Sequence, residues 1–229
     1  MADAVLRGAD LWRAYGSGRT EVRACQGVSL QVGAGELLVV KGPSGSGKTT
    51  LLNLLGALDR PTSGQVFLDG AEISTWSERR LVDVRRHRIG YVFQSFGLIP
   101  ILSAAENVEV PLRLARVTPR KRDARVRDLL AMVGLTEHAA QRPYELSGGQ
   151  QQRVAIARAL AAEPNVLIAD EPTGQLDLET GKVVMDLIRG LVSERAMAAV
   201  VATHDTALID RADRVLELRD GRLDYATVT

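Results

Sequence analysis

With a single cysteine, Cys25, the sequence can close no disulfide of its own and has no second thiol to complete a metal site, a usage that suits a reducing compartment. Cys25 reads most simply as a core residue. No run approaches the ~18 apolar residues of a membrane span. The opening MADAVLRGADLW has no basic segment leading into an apolar one. The expectation is a chain neither secreted nor integral, so any membrane role means docking onto another polypeptide from the cytoplasmic side. Charge of one sign is also missing: 29 Lys plus Arg face 28 Asp plus Glu, net +1, which gives no reason to expect nucleic acid as a partner. Repeats, low-complexity stretches and long linkers are absent too. What remains is 229 residues, 45% of them hydrophobic, enough to fill the core of one large domain or two small ones.

Short β-branched and Leu-rich runs recur as GVSLQV (27–32), ELLVVKG (36–42), QVFLDG (65–70), IGYVFQ (89–94), NVLIAD (165–170), AAVVAT (198–203) and RVLEL (214–218), and these predict strands. Helical patterns fall between them over 49–58, 178–194 and 206–212, and strand–helix alternation implies a parallel sheet. The early strands, with hairpin-like spacing around Gly33 and Gly35, suggest a small antiparallel sheet beside the main one. From about Ser103 to Ala162 the pattern is almost wholly helical, as an insertion would be. Ser103 with Glu106 forms a capping box, Thr118-Pro119 opens a second helix, and Ser147 caps a third through RVAIARALAA.

Gly42-Pro43-Ser44-Gly45-Ser46-Gly47-Lys48-Thr49 follows the apolar LLVV and precedes the helix-forming TLLNLLGAL, the context a phosphate-binding loop requires. Glycines let the backbone wrap phosphate with its N–H groups inward, and the following helix offers its positive end. Lys48 is placed to reach the β- and γ-phosphates, and the Thr49 hydroxyl to coordinate Mg²⁺, with Thr50 next in the helix. A Gly-rich turn would not need strand and helix in these places. The loop alone leaves kinase, GTPase and ATPase open. Asn165 to Asp170 is an apolar strand ending in Asp170-Glu171-Pro172, and ligands of open parallel sheets gather beyond such carboxyl ends. Asp170 is suited to hold Mg²⁺ and Glu171 to polarise the attacking water. Adjacent strand residues point to opposite faces, which favours one role each.

Leu146-Ser147-Gly148-Gly149-Gln150, followed by QQRVAIARAL, resembles the signature of the ATP-binding-cassette (ABC) ATPases. Physically it is a second anion site, a capped helix with exposed N–H groups. The resemblance covers essentially the whole chain. It implies an α/β fold of the P-loop NTPase (RecA-like) type: a mostly parallel core with an N-terminal antiparallel β subdomain and an inserted α-helical subdomain. The expected organisation is a single ABC ATPase domain over 1–229, with core and β subdomain at 1–94 and 163–229 and the helical signature subdomain at 95–162. It also implies ATP and Mg²⁺ as ligands and a head-to-tail homodimer in which each signature faces the other protomer's γ-phosphate.

The same resemblance gives Tyr15 the adenine-stacking role and Gln94 that of sensing Mg²⁺ and the attacking water. It makes Glu171 the catalytic base, Asp177 the dimer-contacting aspartate and His204 the residue that contacts γ-phosphate. Gln175 departs from the pattern, since close relatives usually have Asn there.

GLIPILSAAENVEVPLRLA, YELSGGQQQRVAIARAL and DEPTGQLD resemble the subgroup of lipoprotein-release, macrolide-export and FtsE-type cell-division ATPases. That likeness implies a separate permease with four membrane helices and a large external domain, and a peripheral place on the cytoplasmic face of the cell membrane. The alternatives are an importer subunit, a soluble ABC ATPase of DNA repair or translation, and a P-loop kinase, for which the LSGGQ helix has no use. The seven Lys or Arg between Arg113 and Arg127 read as a solvated helix face, as does His87 among Arg85, Arg86 and Arg88.

Overall fold

The computed structural model describes residues 4–224. The chain opens with two long strands, β1 (Ala4–Tyr15) and β2 (Val22–Gly33), paired antiparallel. The turn at Gly33 and Gly35 then carries it into β3 (Leu37–Lys41), which joins a different sheet, so the hairpin suggested by those glycines does not form. The burial pattern gives the reason. β3 is apolar on both faces and Leu37 to Val40 are fully buried, as only an interior strand can be, whereas β2 has alternating exposed positions that suit a one-faced sheet. Helix α1 (Lys48–Leu55) follows, then β4 (Ser63–Leu68) and β5 (Ala71–Glu72), which complete a four-stranded sheet in the order β2-β1-β4-β5.

Helix α2 (Glu78–His87) and strand β6 (Ile89–Val92) lead to the helical region, α3 (Ala104–Leu114), α4 (Pro119–Met132) and α5 (Gly148–Ala159). The expected capping box at Ser103 is present, and the expected cap at Ser147 proves to be a capping box as well. Glu106 N donates to Ser103 Oγ and Ser103 N to Glu106, and Ser147 and Gln150 do the same at the start of α5. The chain returns through β7 (Val166–Asp170), α6 (Leu178–Arg195), β8 (Ala198–Thr203), β9 (Arg214–Arg219) and β10 (Arg222–Asp224). The segment expected as a helix from 206 to 212 is a 3-10 turn over Thr206–Arg211.

The second sheet runs β10-β9-β3-β8-β7-β6, parallel except for β10. It divides two cores. Leu37 and Val39 of β3 pack with Leu167, Ala199 and the residues of α3 to α6, while Leu38 and Val40 pack with Leu51 and Leu55 of α1 and with Leu6 and Val32 of the antiparallel sheet. At about 1.5–3 kcal/mol for each fully buried large side chain, these alternating contacts fix the strand's register, because a slip of one residue would exchange its two faces. The carboxyl ends of β3, β6, β7 and β8 all reach one edge, and the functional residues follow them.

Candidate functional site

After Lys41 the backbone turns tightly enough that a Cβ at Gly47 would lie 2.1 Å from Ala24 O. Gly47 is also left-handed, with φ of 103°, so no other residue fits there without strain. This loop is anchored from outside the motif: Gly221 N donates to Ser46 O, and Gln26 N donates to Gly221 O. Beside it lies a cavity of about 1080 Å³ lined by Pro43 to Gly45, Gly47 to Thr50, Gln94, Asp170, Glu171 and His204. The topology thus gathers three of the strand-end motifs around the loop.

Lys48 is 7% exposed, and its Nζ donates to the carbonyls of Gly42 at 2.7 Å and Pro43 at 3.1 Å and stands 3.7 Å from Glu171 Oε1. The Thr49 hydroxyl donates to Asp170 Oδ2 at 2.7 Å. Burial pushes the Asp170 carboxyl above its ordinary range against the opposing pull of that bond. Its Oδ1 is buried without a hydrogen-bond partner.

Glu171, at the break of β7, has a φ of 48°, and its amide donates to Ala202 O at 2.9 Å. This left-handed turn carries Glu171 off the strand course, away from Asp170. Its Oε1 lies 2.9 Å from His204 Nδ1, and its Oε2 accepts from His204 N at 3.3 Å. The two neighbouring carboxylates therefore have separate partners, Asp170 with Thr49 and Glu171 with Lys48 and His204. Gln94 reaches the cavity beside Gly174, where an added Cβ would be 3.1 Å from Gln94 Nε2.

Tyr15 is not among the cavity's lining residues. Its hydroxyl donates to Asp59 Oδ2 at 2.8 Å, and the Arg13 guanidinium sits 4.5 Å above its ring. The cavity wall on that side is instead Val22, Arg23, Ala24 and Gln26 of β2, with Asp220 and Gly221. Sequence reasoning missed these residues. The Asp220-Gly221 pair, a hairpin signal between β9 and β10, was the one hint of them.

Leu146 to Gln150 are also outside the cavity. The start of α5 packs against the first turn of α6: a Cβ at Gly149 would be 2.4 Å from Thr180 Cγ2, so the bare α5 backbone at Gly149 lies against the Thr180 side chain. Asp177 caps α6, accepting from Thr180 N at 3.0 Å and Thr180 Oγ1 at 2.6 Å, and those bonds hold its carboxyl below its ordinary range. Ser147 Oγ takes the amide of Gln150, which leaves the preceding N–H groups of α5 with no intrahelical partner.

Residues 25–174 match the family model described as ABC transporter. An uncharacterised ABC transporter ATP-binding protein of Thermotoga maritima is 48% identical over 220 residues, 96% of this chain and 94% of the relative. The macrolide export ATP-binding/permease protein MacB of Salmonella paratyphi A is 43% identical over 220 residues, and there the chain spans only 34% of the relative's length. Among solved structures, the ATP-binding cassette MJ0796, a dimer in a post-hydrolysis state bound to ADP and Pi, is similar with a TM-score of 0.88 and 40% identity, covering 96% of both chains. A phosphate loop, a strand-end carboxylate pair and a separate capped glycine helix on this fold, with relatives of this likeness, place the chain in the ABC transporter family as an ATP-binding and ATP-hydrolysing subunit.

Proposed function

We propose that this chain works as a head-to-tail homodimer, in which the phosphate loop of one copy and Ser147 to Gln150 of the other enclose each ATP, and that closure of the dimer drives a separate membrane permease. The observation that carries this reading is the separation of the two anion-binding elements within one chain. The cavity holds Lys48, Thr49, Asp170 and Glu171, but the signature helix does not line it. A second copy supplies what the first lacks. The dimeric MJ0796 structure supports the arrangement, and MacB, which joins an ATP-binding part to a permease part, supports a membrane partner. Docking on such a permease gives the chain a peripheral place at the cytoplasmic face, where ATP is available; among the described residues no helix is long and apolar enough to cross a membrane. Likeness to MacB favours export, and the subgroup resemblance of the sequence motifs extends the proposal to force transmission and a permease with a large external domain.

Lys48 binds the γ-phosphate and gives up its present bonds to Gly42 and Pro43 to do so. Glu171 accepts a proton from the water whose oxygen attacks phosphorus as the bond to the β-phosphate oxygen breaks, giving ADP and phosphate. His204 holds the Glu171 carboxylate in position and faces the same phosphate. Gln94 lies where it can orient that water. The residues present also fit Mg²⁺: Asp170 offers an unpartnered buried oxygen, and the Thr49 hydroxyl adjoins it. When bound, that ion neutralises charge on the phosphates. Adenine lies against the β2 wall, with Tyr15 brought to it from its present bond with Asp59. Glu171→Gln with ATP present is expected to sediment as a dimer; a monomer at every ATP concentration would argue against the composite site.

A further inference from the structure

Gln150 makes two hydrogen bonds from one amide. Its Oε1 accepts from Ser147 N at 2.8 Å, and its Nε2 lies 2.9 Å from His138 Nε2. A backbone N–H can only donate, so the Gln150 oxygen must face Ser147 and its NH₂ must face the imidazole. His138 Nε2 is therefore the acceptor, and the ring proton sits on Nδ1. That Nδ1 is buried with no hydrogen-bond partner. A residue present only to fill space would not carry such a group there; leucine would occupy the site without burying an orphaned N–H.

The turn that carries His138, Thr136–His138, is itself fixed on several sides. His138 N donates to Leu135 O, Leu135 N donates to Leu130 O of α4, and Gln141 N donates to His138 O. From α3, Ala105 N donates to Ala139 O and Ala104 N to Gln141 O. The imidazole is thus a rigid acceptor anchored to α3 and α4, while the glutamine it holds lies in the first turn of α5.

We propose that His138 is a positioning residue for Gln150. Its neutral ring fixes the amide plane, which keeps the capping box closed on Ser147 and holds the first turn of α5 in shape for the nucleotide of the other copy. This inference rests on the composite site proposed above. The experiment is ATP turnover by the full chain at saturating ATP for His138→Leu, His138→Gln, Gln150→Ala and the pair His138→Leu with Gln150→Ala. Thermal unfolding of each variant is followed alongside.

His138→Leu is expected to lose about three- to tenfold in kcat, the effect of one hydrogen bond, with KM for ATP held because the phosphate loop is untouched. His138→Gln, which returns an amide oxygen near the place of Nε2, is expected to recover most of that loss. In the Gln150→Ala background His138→Leu should cost nothing further. An equal loss in that background, or a His138→Gln as slow as His138→Leu, would overturn the proposal by showing a role unrelated to Gln150. Full wild-type turnover by Gln150→Ala would instead bring down the composite-site reading itself.

Discussion

The two anion-binding ends of this chain are finished to different degrees. At the phosphate loop every charged group already has a partner within the chain: Lys48 is on Gly42, Pro43 and near Glu171, Thr49 is on Asp170, and His204 is on Glu171. At the signature helix Ser147 is exposed, its capping box is closed on itself, and no group from the cavity approaches it. The first end is a cavity in which Lys48 and Glu171 are buried while Ser44, Gly45, Thr49 and His204 are exposed, and it must trade internal bonds for ligand bonds. The second is a preset surface that trades nothing. A site divided in this way couples ATP binding to association, because the cavity half, with its buried Lys48, can bind alone but only the signature half of another copy, with its exposed Ser147, completes it.

The largest expected break in this contrast is Glu171→Gln, which removes the proton acceptor and leaves the fold and the Lys48 contacts nearly isosteric. Phosphate release should fall about 10²–10⁴-fold while ATP binding is kept; hydrolysis at the wild-type rate would exclude the assigned role. Lys48→Ala removes a cation that the structure holds ready in the cavity half. ATP affinity in equilibrium binding should weaken about ten- to hundredfold, as for loss of a charge-assisted bond.

Ser147→Ala acts on the signature half and should separate the two. Loss of the cap should cost about 1 kcal/mol of stability and lower the melting midpoint by about 2–4 °C. ATP affinity of the monomer should stay unchanged while dimer turnover falls.

Asp170→Asn is the subtlest. Burial raises the Asp170 pKa in the folded chain, so its ionised form costs stability, and stability falls as pH rises from the ordinary carboxylate range through the raised value. Without nucleotide the Asn variant should therefore melt higher at neutral pH and converge with the parent in acid, yet lose Mg²⁺-dependent turnover. A lower midpoint at neutral pH would contradict the assigned cause of the shift.

The features readable in advance were those in which neighbouring residues carry their own signal. Uniform apolar runs announced β3, β7 and β8, because a strand buried on both faces has no polar residue to dilute it. Ser103 with Glu106, and Ser147 as a cap, announced helix starts because capping is local chemistry.

What could not be read depended on partners far along the chain. β1, AVLRGADLWRAY, carries charges on its exposed face and is fixed as a strand by pairing with β2 and β4. α2, ERRLVDVRRH, buries only Leu81 and Val84, too few to stand out from its arginines. The separate destinations of β2 and β3 were hidden by a glycine turn that suits a hairpin equally well. In the site, Lys48, Thr49, Asp170 and Glu171 came from motifs, whereas Arg23, Gln26 and Gly221 are brought to the cavity by strand pairing and by the Gln26–Gly221 and Gly221–Ser46 bonds between the two sheets. The bond that turns Tyr15 toward Asp59 joins residues 44 positions apart, with no pattern to mark it.

The contrast between the cavity half and the signature half is tested most directly by mixing two variants, Lys48→Ala and Ser147→Arg at the exposed start of α5, and measuring ATP turnover. At an ATP concentration that fills the wild-type site but not the weakened Lys48→Ala site, each alone should be close to inactive. Mixed in equal amounts they should regain about a quarter of the wild-type rate, because half of the two-fold dimers then contain one intact site of two. A mixture as inactive as its components would contradict the claim that each ATP is enclosed by residues of two chains.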